Sequence, residues 1–263
     1  MTKEKHNKTM IESINMFIEK FPKDDCVYLL CGSALSKKNY RDVDYIVYAC
    51  NGIDIAMNNI CSFLDSNNIC YRVKTIKNLS MVSLKFSFDD VIVSIHLVEL
   101  SLLNSALDKI KDEKSYTEID VFSFELNNPT IYRKWIIETL YISGDKEIYD
   151  EVRSRVRQEL IPYDSIKSAL YQSIMSKMLY YEELEKHSSV SRVILYVQML
   201  NELLLYCYAE NRILWGTIKY VESDMNNFTA NKQLCNICEN AFRKLGGSSE
   251  NISSEIEKIK NSI

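Results

Sequence analysis

The hydrophobic pattern of this chain changes character near residue 125, from strands interspersed with helices to helical spacing alone, and that change restricts the fold more than any single motif. Between residues 26 and 98 the apolar residues alternate or run in short blocks, as in "CVYLLC", "DVDYIVYA" and "MVSLKFSFDDVIVSIHLV". A period of two is that of strands, whose successive side chains point to opposite faces. From about residue 130 the segments "IYRKWIIETLYI", "YDSIKSALYQSIMSKMLYYEELEKH", "SRVILYVQMLNELLLYCYAENRI" and "NKQLCNICENAFRKL" carry helical spacing instead. The pattern predicts an α+β chain, with a small mixed β-sheet and its helices in residues 1–125 and a helical bundle in residues 126–263. The boundary falls where "KIKDEKSYTEID" and "NNP" interrupt both periods.

Within the first part, Met10, Ile14, Phe17, Ile18 and Phe21 recur at helical spacing until Pro22 closes the pattern. A strand is expected at "CVYLLC", a helix start at Gly32-Ser33, and a second strand at "DVDYIVYA". A helix over 53–67, a short edge strand "YRVKTI" and a hairpin turning at Asp89-Asp90 follow.

Two aspartates stand one residue apart at the start of the second strand. Asp42 and Asp44 therefore share a face, while Val43, Tyr45 and Val47 take the other. Two carboxylates side by side at a core edge repel each other and are costly to desolvate, and a bound cation relieves both costs. Magnesium suits such a pair, because it takes few carboxylates and completes its shell with phosphate oxygens and water. Gly32 allows a backbone to approach a phosphate closely, and Ser33 adds a hydroxyl and an N–H at a helix start. Lys37 and Lys38 supply further positive charge in the loop that follows. The chain has no Gly-Lys-Ser/Thr or GxGxxG loop, so a kinase-like or motor-like phosphate site is not expected.

Gly32-Ser33, eight intervening residues and then Asp42-Val43-Asp44, set in strand, helix and strand, resemble the signature of the nucleotidyltransferase superfamily that includes DNA polymerase beta. With a helical bundle after it, the plan is similar to that of the aminoglycoside and lincosamide nucleotidyltransferases. The resemblance implies that Gly32 and Ser33 hold a nucleoside triphosphate, with ATP as the donor, and that Asp42 and Asp44 bind Mg2+. It also implies a third carboxylate on a later strand. In "VIVSIHLVEL" that place falls on Ser94, with His96 on the same face and Glu99 just beyond.

A serine is a weaker ligand than a carboxylate, so one metal is better provided for than two. His96 is the candidate proton acceptor, and Glu202, in the middle of an apolar helix with Gln198 one turn before it, is a second candidate from the bundle. The expected acceptor is a hydroxyl of a small polar molecule such as an aminoglycoside or lincosamide. Two other readings stay open: a catalytically weak regulator or binding module that keeps the fold, and a toxin-like enzyme acting on protein or tRNA.

Composition narrows the partners. A formal charge of −4 gives no broad basic field, so extended nucleic-acid binding is not expected unless a local patch supplies it. The eight cysteines sit mostly in apolar periodic segments, where cysteine behaves as a small hydrophobe, and Cys235 and Cys238 lack a second pair to complete a zinc site. The opening "MTKEKHNKTM" lacks the apolar stretch of a secretion signal, and the apolar "VILYVQMLNELLLYCYA" carries Gln198, Asn201 and Glu202. The expectation is a reduced, cytoplasmic protein without a membrane partner, either monomeric or homodimeric.

Overall fold

The computed structural model describes residues 3–36, 42–76, 81–121, 129–184, 189–216, 221–243 and 258–261. In chain order the elements begin with helix α1 (Lys3–Ile18), strand β1 (Cys26–Cys31), a 3-10 turn (Gly32–Ser36), strand β2 (Asp42–Ala49) and helix α2 (Ile53–Ser66). Strands β3 (Tyr71–Ile76), β4 (Met81–Phe88) and β5 (Val91–Glu99) follow, then helices α3 (Leu100–Asp108), α4 (Lys114–Thr117) and α5 (Pro129–Ile137). Strand β6 (Leu140–Gly144) and helix α6 (Lys146–Arg155) precede the long helices α7 (Tyr163–Leu184) and α8 (Ser189–Glu210), and α9 (Val221–Asn226) and α10 (Lys232–Arg243) come last. The chain is α+β, and it divides into two compact units. One comprises Met1–Lys109 with Tyr132–Gln158, and the other Ile110–Ile131 with Glu159–Ile263.

The first unit holds one six-stranded mixed sheet in the order β3-β4-β5-β2-β1-β6. Its neighbours are antiparallel except β2 and β5, which run parallel. One face is apolar. Tyr28 and Leu30 of β1, Val43, Tyr45 and Val47 of β2, Leu84 and Phe86 of β4, and Val93, Ile95 and Leu97 of β5 all pack into it. Ile11, Ile14 and Ile18 of α1 and Ile53, Ile60 and Leu64 of α2 cover that face. Helix α1 stops at Ile18 rather than running on to Phe21; two tighter turns, Lys20 N–H to Phe17 O and Phe21 N–H to Ile18 O, still carry Phe21 into the core. The hairpin turns at Asp89-Asp90 as expected, with both residues at positive φ, +46° and +64°, as a two-residue primed turn requires.

The sequence reading of residues 131–142 as one helix fails at its end. The helix stops at Ile137, and Leu140–Gly144 becomes an edge strand antiparallel to β1. A short apolar run has no decisive period, and here the open edge of β1 decides it. Gly144 closes the strand at φ +102°, where a Cβ would sit 2.0 Å from the Cys26 carbonyl oxygen. The Asp145 carboxylate then accepts from the Glu147 and Ile148 N–H groups and starts α6.

In the second unit α7 and α8 are antiparallel neighbours, and the polar residues inside apolar α8 each have a place. Asn201 donates to the Ile119 carbonyl and accepts from the Val121 N–H. Glu202 accepts from Ser173 and Lys177 of α7. Gln198 is exposed. By length and composition α8 is apolar enough to cross a membrane; its Leu195, Met199, Leu200, Leu203 and Cys207 are buried, while Val190, Val193 and Ile194 are exposed. Cys235 and Cys238 of α10 are buried packing residues. All eight cysteines are free thiols, and burial pushes those of Cys26 and Cys50 up to about 11.

Replacing Gly144 with alanine forces a side chain into positive φ and onto the β1 backbone. The Gly144→Ala variant is expected to lose at least about 2 kcal/mol of stability, measured by chemical denaturation; an unchanged midpoint would contradict the assignment of this strand.

Candidate functional site

The site forms where β1 leaves the sheet. At Cys31 the strand ends opposite Asp44, whose carbonyl accepts from the Cys31 thiol at 3.3 Å. Gly32 then takes φ +71° and starts the 3-10 turn. A Cβ built on Gly32 would lie 3.1 Å from Asp44 Oδ2. The glycine is therefore needed for its backbone angle and because the turn rests against a carboxylate. Ser33 is exposed next to it.

Pleating places Asp42 and Asp44 together on the face opposite the α1/α2 core, and both are half-buried. The parallel neighbour β5 sets Ile92 beside Asp42, Ser94 beside Asp44 and His96 beside Ile46. His96 reaches back, with Nε2 3.7 Å from Asp44 Oδ1. Its Nδ1 lies 2.6 Å from Ser83 Oγ of β4, a bond in which the tautomer decides which atom donates. Ser94 is fully buried, and its Oγ has no hydrogen-bond partner among the described residues. Buried hydroxyls are normally satisfied; Ser94 Oγ, beside Asp44 in the register, shares its lack of a hydrogen-bond partner among the described residues with the buried hydroxyls of Ser143 and Tyr163.

Gly32, Ser33, Asp42, Asp44, Ser94 and His96 thus converge at one end of the sheet. Glu202 belongs to the other compact unit, where Oε1 accepts from Lys177 Nζ at 2.6 Å and Ser173 Oγ at 2.9 Å. Glu99 ends β5 opposite Ala49 and accepts from the Ser101 hydroxyl. Lys37 and Lys38 lie outside the described residues.

Several residues of this face escape the sequence reading. In the antiparallel register Lys85 stands opposite Ser94 and Arg72 opposite Lys85, while Lys74 stands opposite Ser83. The signal is present in the chain: in "YRVKTI" and "VSLKFSF" the basic residues and serines fall at one parity.

Among the described residues no group of three or more His, Cys, Asp and Glu is disposed to hold a metal ion. The donor set present, two carboxylates on one face with a buried unpartnered hydroxyl beside them, fits one Mg2+ that takes its remaining ligands from phosphate and water. It does not provide for a second.

No protein-family model matches the chain, and no curated protein does. Among solved structures, a nucleotidyltransferase-like protein from Exiguobacterium sibiricum 255-15 is similar at a TM-score of 0.38 and 11% identity, over 99% of this chain and 73% of that one.

Because Ser94 Oγ is buried and unsatisfied, Ser94→Ala is expected to change stability by less than about 1 kcal/mol. Ser94→Asp adds a third carboxylate and is expected to destabilise the metal-free protein by about 2 kcal/mol or more. Added Mg2+ should then recover more stability in this variant than in the wild type. Denaturation with and without Mg2+ checks both, and a Ser94→Asp variant indifferent to Mg2+ would contradict the site.

Proposed function

We propose that the first unit transfers a nucleoside monophosphate from a nucleoside triphosphate, ATP in the first instance, to an acceptor hydroxyl. The observation that supports this reading is the close seating of the Gly32 turn against Asp44, with Asp42 on the same face. An anion held by the Ser33 N–H and hydroxyl would lie beside two carboxylates, an arrangement that makes sense when a cation joins the two. Bound there, Mg2+ would offset charge on the phosphate oxygens and the leaving pyrophosphate.

The chain's own groups supply the rest. The acceptor oxygen attacks the α-phosphorus, the bond from that phosphorus to the bridging oxygen breaks, and pyrophosphate leaves with its electron pair. The acceptor proton goes to His96 Nε2. This needs the tautomer in which Nδ1–H donates to Ser83 Oγ, a hydroxyl able to accept that bond and so compatible with the form in which His96 acts as a base. The imidazolium that results has Asp44 3.7 Å away as its counter-charge. In this reading Glu202 serves the bundle as an ion-pair partner of Lys177 rather than as a base.

A second reading has one specific observation in its favour. With Ser94 in place of a third carboxylate, the fold is equally suited to holding a nucleotide without turning it over.

Pyrophosphate release from each of the four nucleoside triphosphates with Mg2+, in the presence of hydroxyl acceptors, separates the two. The transferase reading predicts release that is abolished by Asp42→Asn or Asp44→Asn and lowered about 100-fold or more by His96→Gln. Nucleotide binding without release would favour the binding module, and release untouched by the aspartate variants would overturn the site.

A further inference from the structure

The floor of the sheet beyond Asp44 is basic, and this bears on the acceptor. On the face that carries Asp42 and Asp44, the side chains of β5 are Ile92, Ser94, His96 and Val98. Those of β4 are Met81, Ser83, Lys85 and Ser87, and β3 adds Arg72 and Lys74. Among these described side chains there is no carboxylate. Arg72, Lys74 and Lys85 are exposed, and among the described residues none of the three is engaged through its side chain in an ion pair or hydrogen bond.

The three cations are placed in register. Arg72, Lys85, Ser94 and Asp44 form one row across β3, β4, β5 and β2. At about 4.8 Å per strand, Lys85 starts about 10 Å and Arg72 about 14 Å from the strand of Asp44. The Gly32 turn lies on the opposite side of Asp44, at the end of β1. Donor phosphates seated at that turn leave the basic row on the side from which an acceptor hydroxyl would come. Ile92, 49% exposed beside Asp42, gives that side an apolar step.

We infer that the acceptor carries phosphate, and that Lys85, Arg72 and Lys74 hold it while its hydroxyl is presented at Asp44. This rests on the transferase reading above. A polycationic aminoglycoside would meet three like charges there and, within β3 and β4, none of the opposite sign. Three cations in a chain of net charge −4 suit a few phosphates, not an extended duplex. Two sources share this chemistry, a small phosphorylated metabolite and the end of a short oligonucleotide.

The test uses the full chain and the triple variant Arg72→Gln/Lys74→Gln/Lys85→Gln, whose exposed positions leave the core intact. Binding of a fluorescein-labelled six-residue oligoribonucleotide is read by anisotropy, and that of glucose 6-phosphate and of an aminoglycoside by calorimetry, alongside Mg2+ and ATP. The expected result is that the oligonucleotide or the sugar phosphate binds the wild type and loses at least tenfold in the triple variant, with ATP affinity held within twofold. Which probe binds identifies the source. For the oligonucleotide, the slope of log K against log salt should fall by about 2, near 0.7 for each lost phosphate contact.

Failure of both phosphate probes to bind, equal binding by the triple variant, or preference for the aminoglycoside would overturn the inference. The first two results would also mark the cations as charges that merely protect the β3 edge. If ATP does not bind the wild type while a phosphate probe does, the donor reading fails, and the acceptor role falls with it.

Discussion

The pairing of β1 with β2 is the contact on which the rest of the site depends. It sets Cys31 opposite Asp44, so that the first residue after β1 must turn against a carboxylate. Glycine meets both demands at that position without strain, a positive φ and no Cβ crowding Asp44 Oδ2. From this one register the remaining geometry follows. The pleat puts Asp42 beside Asp44, the parallel strand β5 brings Ser94 and His96 alongside, and β4 places Ser83 under the imidazole. Burial of Val43, Tyr45 and Val47 against α1 and α2 fixes which face the aspartates take, because a slip of one residue would exchange the two.

The same logic explains how much of the fold and site is legible in the amino-acid sequence. Strands β1 to β5, the Gly-Ser turn and the Asp-Asp hairpin are local matters, written in alternation and turn chemistry, and they lie where the pattern places them. Strand β6 is not legible, because "LYISG" has no period of its own and becomes a strand only where β1 offers an edge. The basic row is hidden for a related reason. Arg72, Lys74 and Lys85 sit far apart from Asp44 in sequence and meet on one face only through strand register, which composition cannot supply.

Glu202 shows a physical signal that is open to a structural explanation as well as a catalytic one. A carboxylate in an apolar helix is costly, which makes it a candidate base, and the cost is real. Here it is offset by a serine and a lysine on α7, an arrangement suited to two helices that need a fixed register. Asn201, one residue before it, is likewise satisfied, by the backbone of residues 119 and 121. Ser94 Oγ has no partner among the described residues, and neither has the second carboxylate oxygen of Glu202, Oε2; what distinguishes Ser94 is its place beside Asp44 on the sheet face of the first unit.

The central claim is that Asp42 and Asp44 hold a cation together with a triphosphate. Calorimetric titration of ATP into the wild type and into Asp42→Asn/Asp44→Asn, each with Mg2+ and with a chelator in its place, tests it most directly. The account predicts binding by the wild type with Mg2+, at least tenfold weaker binding with the chelator, and none by the double variant. Binding of equal strength in all four cases, or none in the folded wild type with Mg2+, would contradict it.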